Sequence, residues 1–264
     1  MRSIFHYLLF STALAIVAAS FSASSTAKDI KVVTEYLAPF QIKNHDGSLG
    51  GFATEIVNRL FDITNETSDI RVLPWARAYR IGLSRPNTLI YSMAKTSARY
   101  DKFHWIGKVK SERFFVWGLR SKFSQPVNSI EQLKKYRVAV SKSYNSADYV
   151  KNNGYRNIHY TTRDQQSLGM LFKGRTDILV SSELVLKQLT MSAEFDFSQL
   201  IKLADVPELN NDLAIAYSQS SDIELVQRFR LAYKHLEDSG ELQRLRDRWQ
   251  VYDDLPIMSD PIKK

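Results

Sequence analysis

The stretch Tyr91-Ser92-Met93-Ala94-Lys95-Thr96-Ser97-Ala98-Arg99 decides how this chain is interpreted. Its apolar start, preceded by Leu89 and Ile90, predicts a buried strand that ends in small residues. Thr96 is expected to cap a short helix with its hydroxyl group, which places Arg99 one turn further on, near the positive end of that helix. A guanidinium group beside free backbone N–H groups is a receptor for a carboxylate. On spacing alone, a surface arginine beside a capped turn is the simpler interpretation.

The segments around this stretch change that balance. It continues as Tyr100-Asp101-Lys102-Phe103-His104-Trp105-Ile106-Gly107. Together the two resemble the Thr-x-x-Arg, then charged-x-x-Phe-x-aromatic signature of bacterial extracellular solute-binding proteins of family 3, the polar amino acid receptors of ABC importers. Further matches stand in the expected order after about residue 28. They are Glu35-Tyr36-Leu37-Ala38-Pro39-Phe40, Gly50-Gly51-Phe52-Ala53-Thr54-Glu55-Ile56, Pro74-Trp75-Ala76-Arg77-Ala78, Gly174-Arg175-Thr176-Asp177-Ile178, and, more weakly, Gly240-Glu241-Leu242 with Trp249.

The order of apolar patterns predicts the architecture. Short apolar runs alternate with helical patterns, first over residues 30–93 and again over 130–180. Strands that alternate with helices indicate a mostly parallel sheet covered on both faces, and the restart indicates two such sheets. The resemblance implies the two-lobed α/β fold of type II periplasmic binding proteins. We expect residues 28–112 plus 218–264 in lobe 1 and 113–217 in lobe 2, joined by crossing strands at 113–119 and 211–217.

The N-terminus has the pattern of a signal peptide. Arg2 precedes an apolar run from Leu8 to Phe21, and Ser25-Thr26-Ala27 offers small residues for cleavage. That run spans ~21 Å as a helix, which is shorter than the ~30 Å core of a bilayer. We therefore predict residues 1–27 as a cleaved signal peptide and the periplasm as the location. No later apolar run is long enough to span a membrane, so we expect a freestanding protein rather than an integral receptor.

The composition excludes several function classes. The chain has no cysteine, which rules out disulfides, thiolate metal sites and a cysteine nucleophile. Its formal net charge is +8, but the basic residues are scattered and form no block interleaved with aromatic residues. We therefore expect no nucleic acid partner. No motif of a hydrolase, a metalloprotease or a nucleotide-binding loop occurs, and the histidines share no metal spacing. We expect a monomer with no cofactor, no metal and no enzymatic activity.

A second anion-binding element is expected in the second lobe. The sequence Val138-Ala139-Val140-Ser141-Lys142-Ser143-Tyr144-Asn145-Ser146 predicts a strand that leads through a turn into a helix. Asn145 or Ser146 would cap that helix, and the N–H groups of residues 144–146 would face the cleft. Members of the family usually have Lys-Gly-Thr-Thr/Ser at this point, whereas this chain has a bulky ring at Tyr144. An ordinary helix cap remains an equally good interpretation.

The residue that would receive an ammonium group is left open. Amino acid receptors of the family typically have an aspartate shortly after the Gly-Arg-Thr-Asp segment, where this chain has Ser182 followed by Glu183. A hydroxyl group cannot neutralise a buried ammonium group, and a buried unpaired charge costs several kcal/mol. Either Glu183 or Glu35 takes that role, or the solute is not an α-amino acid.

Aromatic and basic residues near the expected cleft complete the candidate set. Tyr36, Phe52 and Trp75 lie in the matching motifs and could stack on a solute, although most aromatic side chains belong to the core. Arg77 is a second possible anion ligand, and a solvated helix arginine explains it nearly as well. The full prediction for ligand binding is Arg99, Thr96, Ser92, Ala94, Tyr36, Phe52, Trp75, Arg77, Tyr144, Asn145, Ser182, Glu183 and Glu35.

The resemblance implies a periplasmic protein that captures a small polar, carboxylate-bearing solute, an amino acid or a related molecule, by closure of its two lobes. Its implied partner is an ABC permease with its ATPase. Two alternatives stay open, a freestanding periplasmic ligand sensor and an exported dehydratase-like enzyme on the same fold. The enzyme would need a general acid in the cleft, for which Glu35 and Glu183 are the candidates.

Overall fold

Two five-stranded sheets organise the computed structural model, which describes residues 30–254. The predicted signal peptide lies outside the described residues. The strands in chain order are β1 (Lys31–Thr34), β2 (Ile42–Lys43), β3 (Leu49–Gly50), β4 (Asp69–Val72), β5 (Thr88–Ala94), β6 (Phe103–Glu112), β7 (Phe114–Leu119), β8 (Arg137–Ser141), β9 (Asn157–Thr161), β10 (Ile178–Ser182), β11 (Leu200–Asp205) and β12 (Asn211–Ser218). The α-helices are α1 (Phe52–Thr64), α2 (Trp75–Ser84), α3 (Ser97–Tyr100), α4 (Asn145–Asn152), α5 (Asp164–Phe172), α6 (Glu183–Ser192), α7 (Ile223–Asp238) and α8 (Glu241–Trp249).

The first sheet has the strand order β4-β1-β5-β12-β6 and forms the first lobe. Its β1 strand pairs in parallel with β4 and β5, whereas β12 pairs antiparallel with β5 and β6. β5 is buried along its whole length, as its continuous apolar run predicts for a central strand. The carboxyl ends of β1 and β5 therefore lie side by side at one edge of this sheet.

The second sheet repeats this plan with the order β11-β7-β10-β8-β9. β8 pairs in parallel with β9 and β10, and β7 pairs antiparallel with β10 and β11. The sequence predicts mostly parallel sheets, whereas half of the strand pairs in each sheet are antiparallel, so both sheets are mixed. The antiparallel half of each sheet contains the strands next to the points where the chain passes between the lobes.

The chain passes between the two sheets twice. It leaves the first sheet at the end of β6 and enters the second at the start of β7, with Arg113 between them. It returns between β11 and β12, through a short 3-10 helix at Pro207–Leu209. The predicted boundaries put β12 with lobe 2. In the structure, β12 pairs with β5 and β6 and belongs to the first sheet.

Packing of helix α1 shows why glycine precedes it. Gly51 has φ of 108°, and a Cβ atom there would lie 2.5 Å from the main-chain oxygen of Phe40. This close approach requires glycine. It lets α1 bury one face, which includes Ile56, Val57 and Leu60, and pack against α7 and α8. Among residues 30–254, no helix is both long and apolar enough to cross a membrane.

The last described residues bind to the strand that leads into the second lobe. Asp253 accepts hydrogen bonds from Lys108 at 2.6 Å and from the main-chain N–H of Ser111 at 2.6 Å. Asp254 forms an ion pair of 2.7 Å with Lys110, whose side chain is only 1% exposed. These bonds fix the end of β6 just before the first passage between lobes.

Candidate functional site

A cavity lies between the two sheets, at the carboxyl ends of strands from both lobes. The residues directly after β1 and at the end of β5 line it from the first lobe, and the ends of β8 and β10 approach it from the second. Ligands of open α/β sheets bind at such strand ends, because the loops that follow the strands diverge there and leave a crevice. Eight of the predicted site residues line this cavity: Glu35, Trp75, Ser92, Ala94, Arg99, Tyr144, Asn145 and Ser182.

Arg99 lies between the lobes and is only 6% exposed. Its Nη1 donates to the carbonyl oxygen of Ala94 at 3.2 Å, and its Nη2 donates to that of Ser143, in the second lobe, at 3.2 Å. The guanidinium carbon lies 4.8 Å from the centre of the Tyr79 ring and 5.6 Å from that of Trp75. Two rings and two carbonyl groups therefore fix the position of the guanidinium plane. Burial lowers the pKa of Arg99.

The expected capping by Thr96 is not what positions this arginine. Thr96 occupies the N-cap position of α3, but its side chain makes no capping hydrogen bond. α3 has only four residues, so its dipole is small. Thr96 is not among the residues that line the cavity. The main chain holds the arginine instead, through the carbonyl oxygen of Ala94 at the end of β5. Two residues earlier, Ser92 has φ of 55° and its hydroxyl accepts a 2.5 Å hydrogen bond from Gln41.

The second lobe contributes the turn after β8. α4 begins at Asn145, with Tyr144 at the N-cap position and no side-chain capping bond, so neither Asn145 nor Ser146 is the N-cap. The Tyr144 hydroxyl donates to Glu35 Oε1 across the cavity at 2.6 Å. The Trp75 indole donates to the Ser143 carbonyl oxygen at 3.0 Å. Three first-lobe side chains, those of Glu35, Trp75 and Arg99, thus bond to this turn of the second lobe.

Five predicted site residues lie elsewhere. Besides Thr96, these are Tyr36, Phe52, Arg77 and Glu183. Tyr36 is 44% exposed and lines an outer groove, while Phe52 is fully buried in the first-lobe core. Arg77 lies in a surface depression among other basic side chains. Glu183 points toward the outside of the junction between lobes, where it forms ion pairs with Lys187 at 2.7 Å and Lys202 at 2.5 Å.

Two carboxylic acids that the sequence analysis did not single out line the cavity, Glu112 and Asp164. Ser182 Oγ donates to Glu112 Oε1 at 2.7 Å, and Ser141 Oγ donates to Asp164 Oδ1. Asp164 follows β9, so the rule of strand ends could have found it. Glu112 stands in the charged sequence Lys108-Val109-Lys110-Ser111-Glu112-Arg113, which reads as a solvated segment and gives no such signal.

The carboxyl groups of the cavity hold their protons more tightly than exposed ones. Desolvation raises the pKa of Glu112 to about 7, against the opposing effect of the Ser182 hydrogen bond. Desolvation also raises the pKa of Asp164 to about 6, against the hydrogen bond from Ser141. The pKa of Glu35 is raised well above its usual value by desolvation, although the Tyr144 hydrogen bond opposes this. Within residues 30–254, no group of three histidine or acidic side chains is placed to hold a metal ion.

Comparison with known proteins finds similarity in structure alone. No protein-family model matches the chain, and no curated protein matches it. A solved histidine kinase sensor domain with similarity to periplasmic binding proteins matches at a TM-score of 0.76 and 18% identity, over 85% of this chain and 97% of that chain. The substrate-binding protein of an amino acid ABC transporter matches at 0.73 and 19% identity, over 83% and 98%.

A third solved structure is a periplasmic binding protein of the His/Glu/Gln/Arg/opine family from Silicibacter pomeroyi in complex with lysine. It matches at a TM-score of 0.71 and 17% identity, over 87% of this chain and 100% of that chain. The three similarities each extend over more than four fifths of this chain, so they concern the whole fold. The chain therefore has the two-lobed α/β fold of the type II periplasmic binding proteins, as its motifs predicted.

Proposed function

We propose that this chain is an exported, periplasmic solute-binding protein that captures a small polar solute between its lobes for an ABC importer. The solute bears a carboxylate, and Arg99 binds it. The observation that carries this proposal is the position of Arg99, buried at the wall of the cavity between the lobes. Similarity in fold to substrate-binding proteins of amino acid ABC transporters supports the same class of function.

The bonding of Arg99 supports its role in more detail. Among the described residues, Arg99 forms no direct ion pair, and Asp148 and Glu35 act on its buried charge only from a longer distance. A buried charge without a partner is costly, and a carboxylate is a stronger acceptor than the carbonyl groups of Ala94 and Ser143. A solute carboxylate at this point would remove that cost, and closure of the lobes would follow from contacts made to both.

The test begins with a thermal-shift screen of amino acids, organic acids and amines. A specific solute at a hundredfold excess over its Kd adds ~2.7 kcal/mol to the free energy of unfolding, which gives a clear shift in Tm. Calorimetric titration of the hit then compares two variants. Arg99→Ala should lose ~2–5 kcal/mol of binding free energy, as truncation of a buried charge pair does. Arg77→Ala, which alters an exposed arginine outside the cavity, should bind like the parent. Equal affinity of Arg99→Ala and the parent would refute the proposal.

A sensor remains a second candidate, because the sensor domain of a histidine kinase shares this fold. Both functions require capture of the solute. They differ in which membrane protein the solute-bound form contacts. Crosslinking in intact cells, with and without the solute, should recover the permease of an importer if the main proposal holds. Recovery of a membrane kinase without any permease would support the sensor.

An enzyme of the dehydratase type is favoured by one observation, the raised pKa of Glu35 in the cavity. A carboxylic acid whose pKa is raised by burial is a candidate for a general acid. Incubation with cyclic carboxylic acids of the prephenate and arogenate type, followed by product analysis, separates this function from binding. Product formation that Glu35→Gln abolishes would replace the binding proposal.

A further inference from the structure

The cavity beside Arg99 is too small for a whole solute. Its free volume is about 50 Å³, whereas a protein cavity that binds benzene measures about 150 Å³. A space of this size admits one small group, such as a carboxylate. Because Arg99 already donates to the carbonyl oxygen of Ser143 in the second lobe, the lobes are in contact here and further closure would not enlarge the space. The other atoms of a solute bound through Arg99 therefore lie outside the cavity.

A larger groove borders the cavity. Its volume is about 440 Å³, which lies in the range of about 300–1,000 Å³ that is usual for small-molecule sites. The groove and the cavity share four of the residues that line them, and these are Glu35, Leu37, Tyr144 and Asp164. A solute whose carboxylate lies at Arg99 can therefore extend across this boundary into the groove.

Tyr144 and Glu35 form part of the boundary between the two spaces. The Tyr144 hydroxyl donates to Glu35 Oε1 at 2.6 Å, and its ring meets that of Trp75 edge-on, with the ring centres 6.1 Å apart. These contacts from the first lobe hold the ring in place. Since Tyr144 lines both the cavity and the groove, its ring occupies room that a smaller side chain would add to the cavity. The size of Tyr144 thus limits how much of a solute fits beside Arg99.

The first-lobe wall of the groove is mostly apolar. It includes Tyr36, which follows β1, and Leu73 and Pro74, which lie between β4 and α2. The side chain of Tyr36 is 44% exposed, so its ring is accessible from the groove. An exposed ring beside aliphatic side chains is suited to packing against an apolar or aromatic group.

The second-lobe wall of the groove is polar and offers mainly hydrogen-bond donors. Arg163 and Gln166 line it, at the start of α5. A guanidinium group has donors and no acceptor. The side-chain oxygen of Gln166 already accepts a 3.0 Å hydrogen bond from the main-chain N–H of Thr162, so its NH₂ group is the part that can bind a solute. Such a wall is complementary to carbonyl oxygens.

We propose that the solute is longer than a free amino acid, with its carboxylate at Arg99 and a second part, joined through an amide group, in the groove between Tyr36 and Arg163. Short peptides and N-acylated amino acids have this chemistry. Their amide carbonyl oxygen accepts from the second-lobe wall, and an apolar end packs against Tyr36. This inference rests on the proposed function and deepens it, because it names a class of solute and a second subsite.

The experiment is a calorimetric titration of the full mature protein with three sets of probes. The first set is hippurate, which is N-benzoylglycine, and the dipeptide phenylalanylglycine. The second set is the compact carboxylates acetate, propionate and alanine. The third is 4-phenylbutyrate, which separates its ring from its carboxylate by the same number of atoms as hippurate but has no amide group. We expect the first set to bind more tightly than either of the others, by about tenfold, because only it fills the groove and bonds to both walls.

Each outcome bears on a different part of the proposal. A tightest binder in the compact set would overturn this inference and leave the capture of a carboxylate by Arg99 standing. Equal affinity for 4-phenylbutyrate and hippurate would overturn the assigned class, because the amide group would then contribute nothing. The tightest binder of the wider screen is judged by the same two criteria. Binding by none of the probes, and by no solute of the wider screen, would overturn the proposed function itself.

Variants of the groove locate the second part of the solute. With the tighter of the two amide probes, Tyr36→Ala should raise Kd about tenfold, because packing against the ring is lost. Arg163→Gln should raise it about fivefold, because a charged donor is lost. Tyr160→Ala alters a tyrosine of similar exposure, 47%, outside both spaces, and should bind like the parent. A parent-like Kd in Tyr36→Ala or Arg163→Gln would overturn the placement in the groove.

A variant of the boundary tests the limit on size. Tyr144→Ser removes the ring and enlarges the cavity, so the Kd of propionate should fall relative to that of hippurate. Both affinities are measured on the same protein, and a partial loss of folded protein would not change their ratio. A ratio equal to that of the parent would overturn the role of Tyr144 in limiting what fits beside Arg99.

Discussion

Arg99 of the first lobe donates through Nη2 to the main-chain carbonyl oxygen of Ser143 in the second lobe, at 3.2 Å. The same oxygen accepts the indole N–H of Trp75 at 3.0 Å. Ser143 has φ of 65°, a conformation that is uncommon for residues other than glycine. One carbonyl group thus connects the lobes through two side chains of the first lobe. One of the contacts between the lobes and the proposed anion site therefore share the same arginine.

Loss of the indole donor should weaken the closed arrangement. Trp75→Phe keeps an aromatic ring beside Arg99 but leaves the Ser143 oxygen with one donor instead of two. We expect a cost of ~1 kcal/mol in lobe closure, the usual contribution of one hydrogen bond. Small-angle X-ray scattering without solute should show a larger radius of gyration. Trp249→Phe is the matched control, because the buried indole N–H of Trp249 has no partner among the described residues. An unchanged scattering curve for Trp75→Phe would argue against this role of the contact.

Stability should depend on pH through Glu112. Its pKa is about 7 in the folded protein, above the 4.5 of an unfolded chain, so the folded state binds the proton more tightly. The contribution of this group is fully present below pH 4.5 and is lost as the pH rises through about 7. Glu112→Gln removes the titration. Between pH 5 and pH 8.5, the free energy of unfolding of the parent should fall by ~2–3 kcal/mol relative to that of the variant, as measured by urea unfolding. A constant difference between the two proteins across this range would contradict the prediction.

Asp177, at the opposite end of β10 from Ser182, should be structural. Its carboxylate accepts from Arg137 Nε at 3.0 Å and Arg137 Nη2 at 2.7 Å, and pairs with Lys122 at 2.6 Å. These bonds hold its pKa well below the usual value. Asp177→Asn should cost ~2 kcal/mol of stability at pH 7, because one buried partner of a charged network is lost.

The loss of stability caused by Asp177→Asn should be smaller at acidic pH than at pH 7. A lowered pKa contributes stability that is present above the unfolded value of 3.8 and is lost as the pH falls through the folded one. Urea unfolding of both proteins at pH 7 and pH 2.5 measures the change. Calorimetric affinity at pH 7 should be the same for Asp177→Asn and the parent. A large loss of affinity without a loss of stability would place Asp177 in the binding site instead.

Much of the fold follows from local patterns along the chain. The continuous apolar run of β5 predicts a central strand, and the alternation of strands and helices predicts two covered sheets. Strand ends also predict part of the site. Ser92, Arg99, Tyr144 and Ser182 line the cavity because each lies at or just after the carboxyl end of a strand, where the crevice opens. These properties depend on residues that are close in sequence, so a single sequence contains them.

The remaining choices were made by the tertiary structure. Ser182 and Glu183 are neighbours in sequence, yet the strand end turns Ser182 into the cavity while Glu183, the first residue of α6, pairs with two lysines outside. Glu112 reads as part of a solvated charged segment, but packing of the second lobe against β6 buries it and raises its pKa. Sequence alone determined which elements form and which strand ends carry polar groups. Only the packing of the two lobes against each other determined which charged groups are desolvated, because burial depends on contacts between residues far apart in the chain.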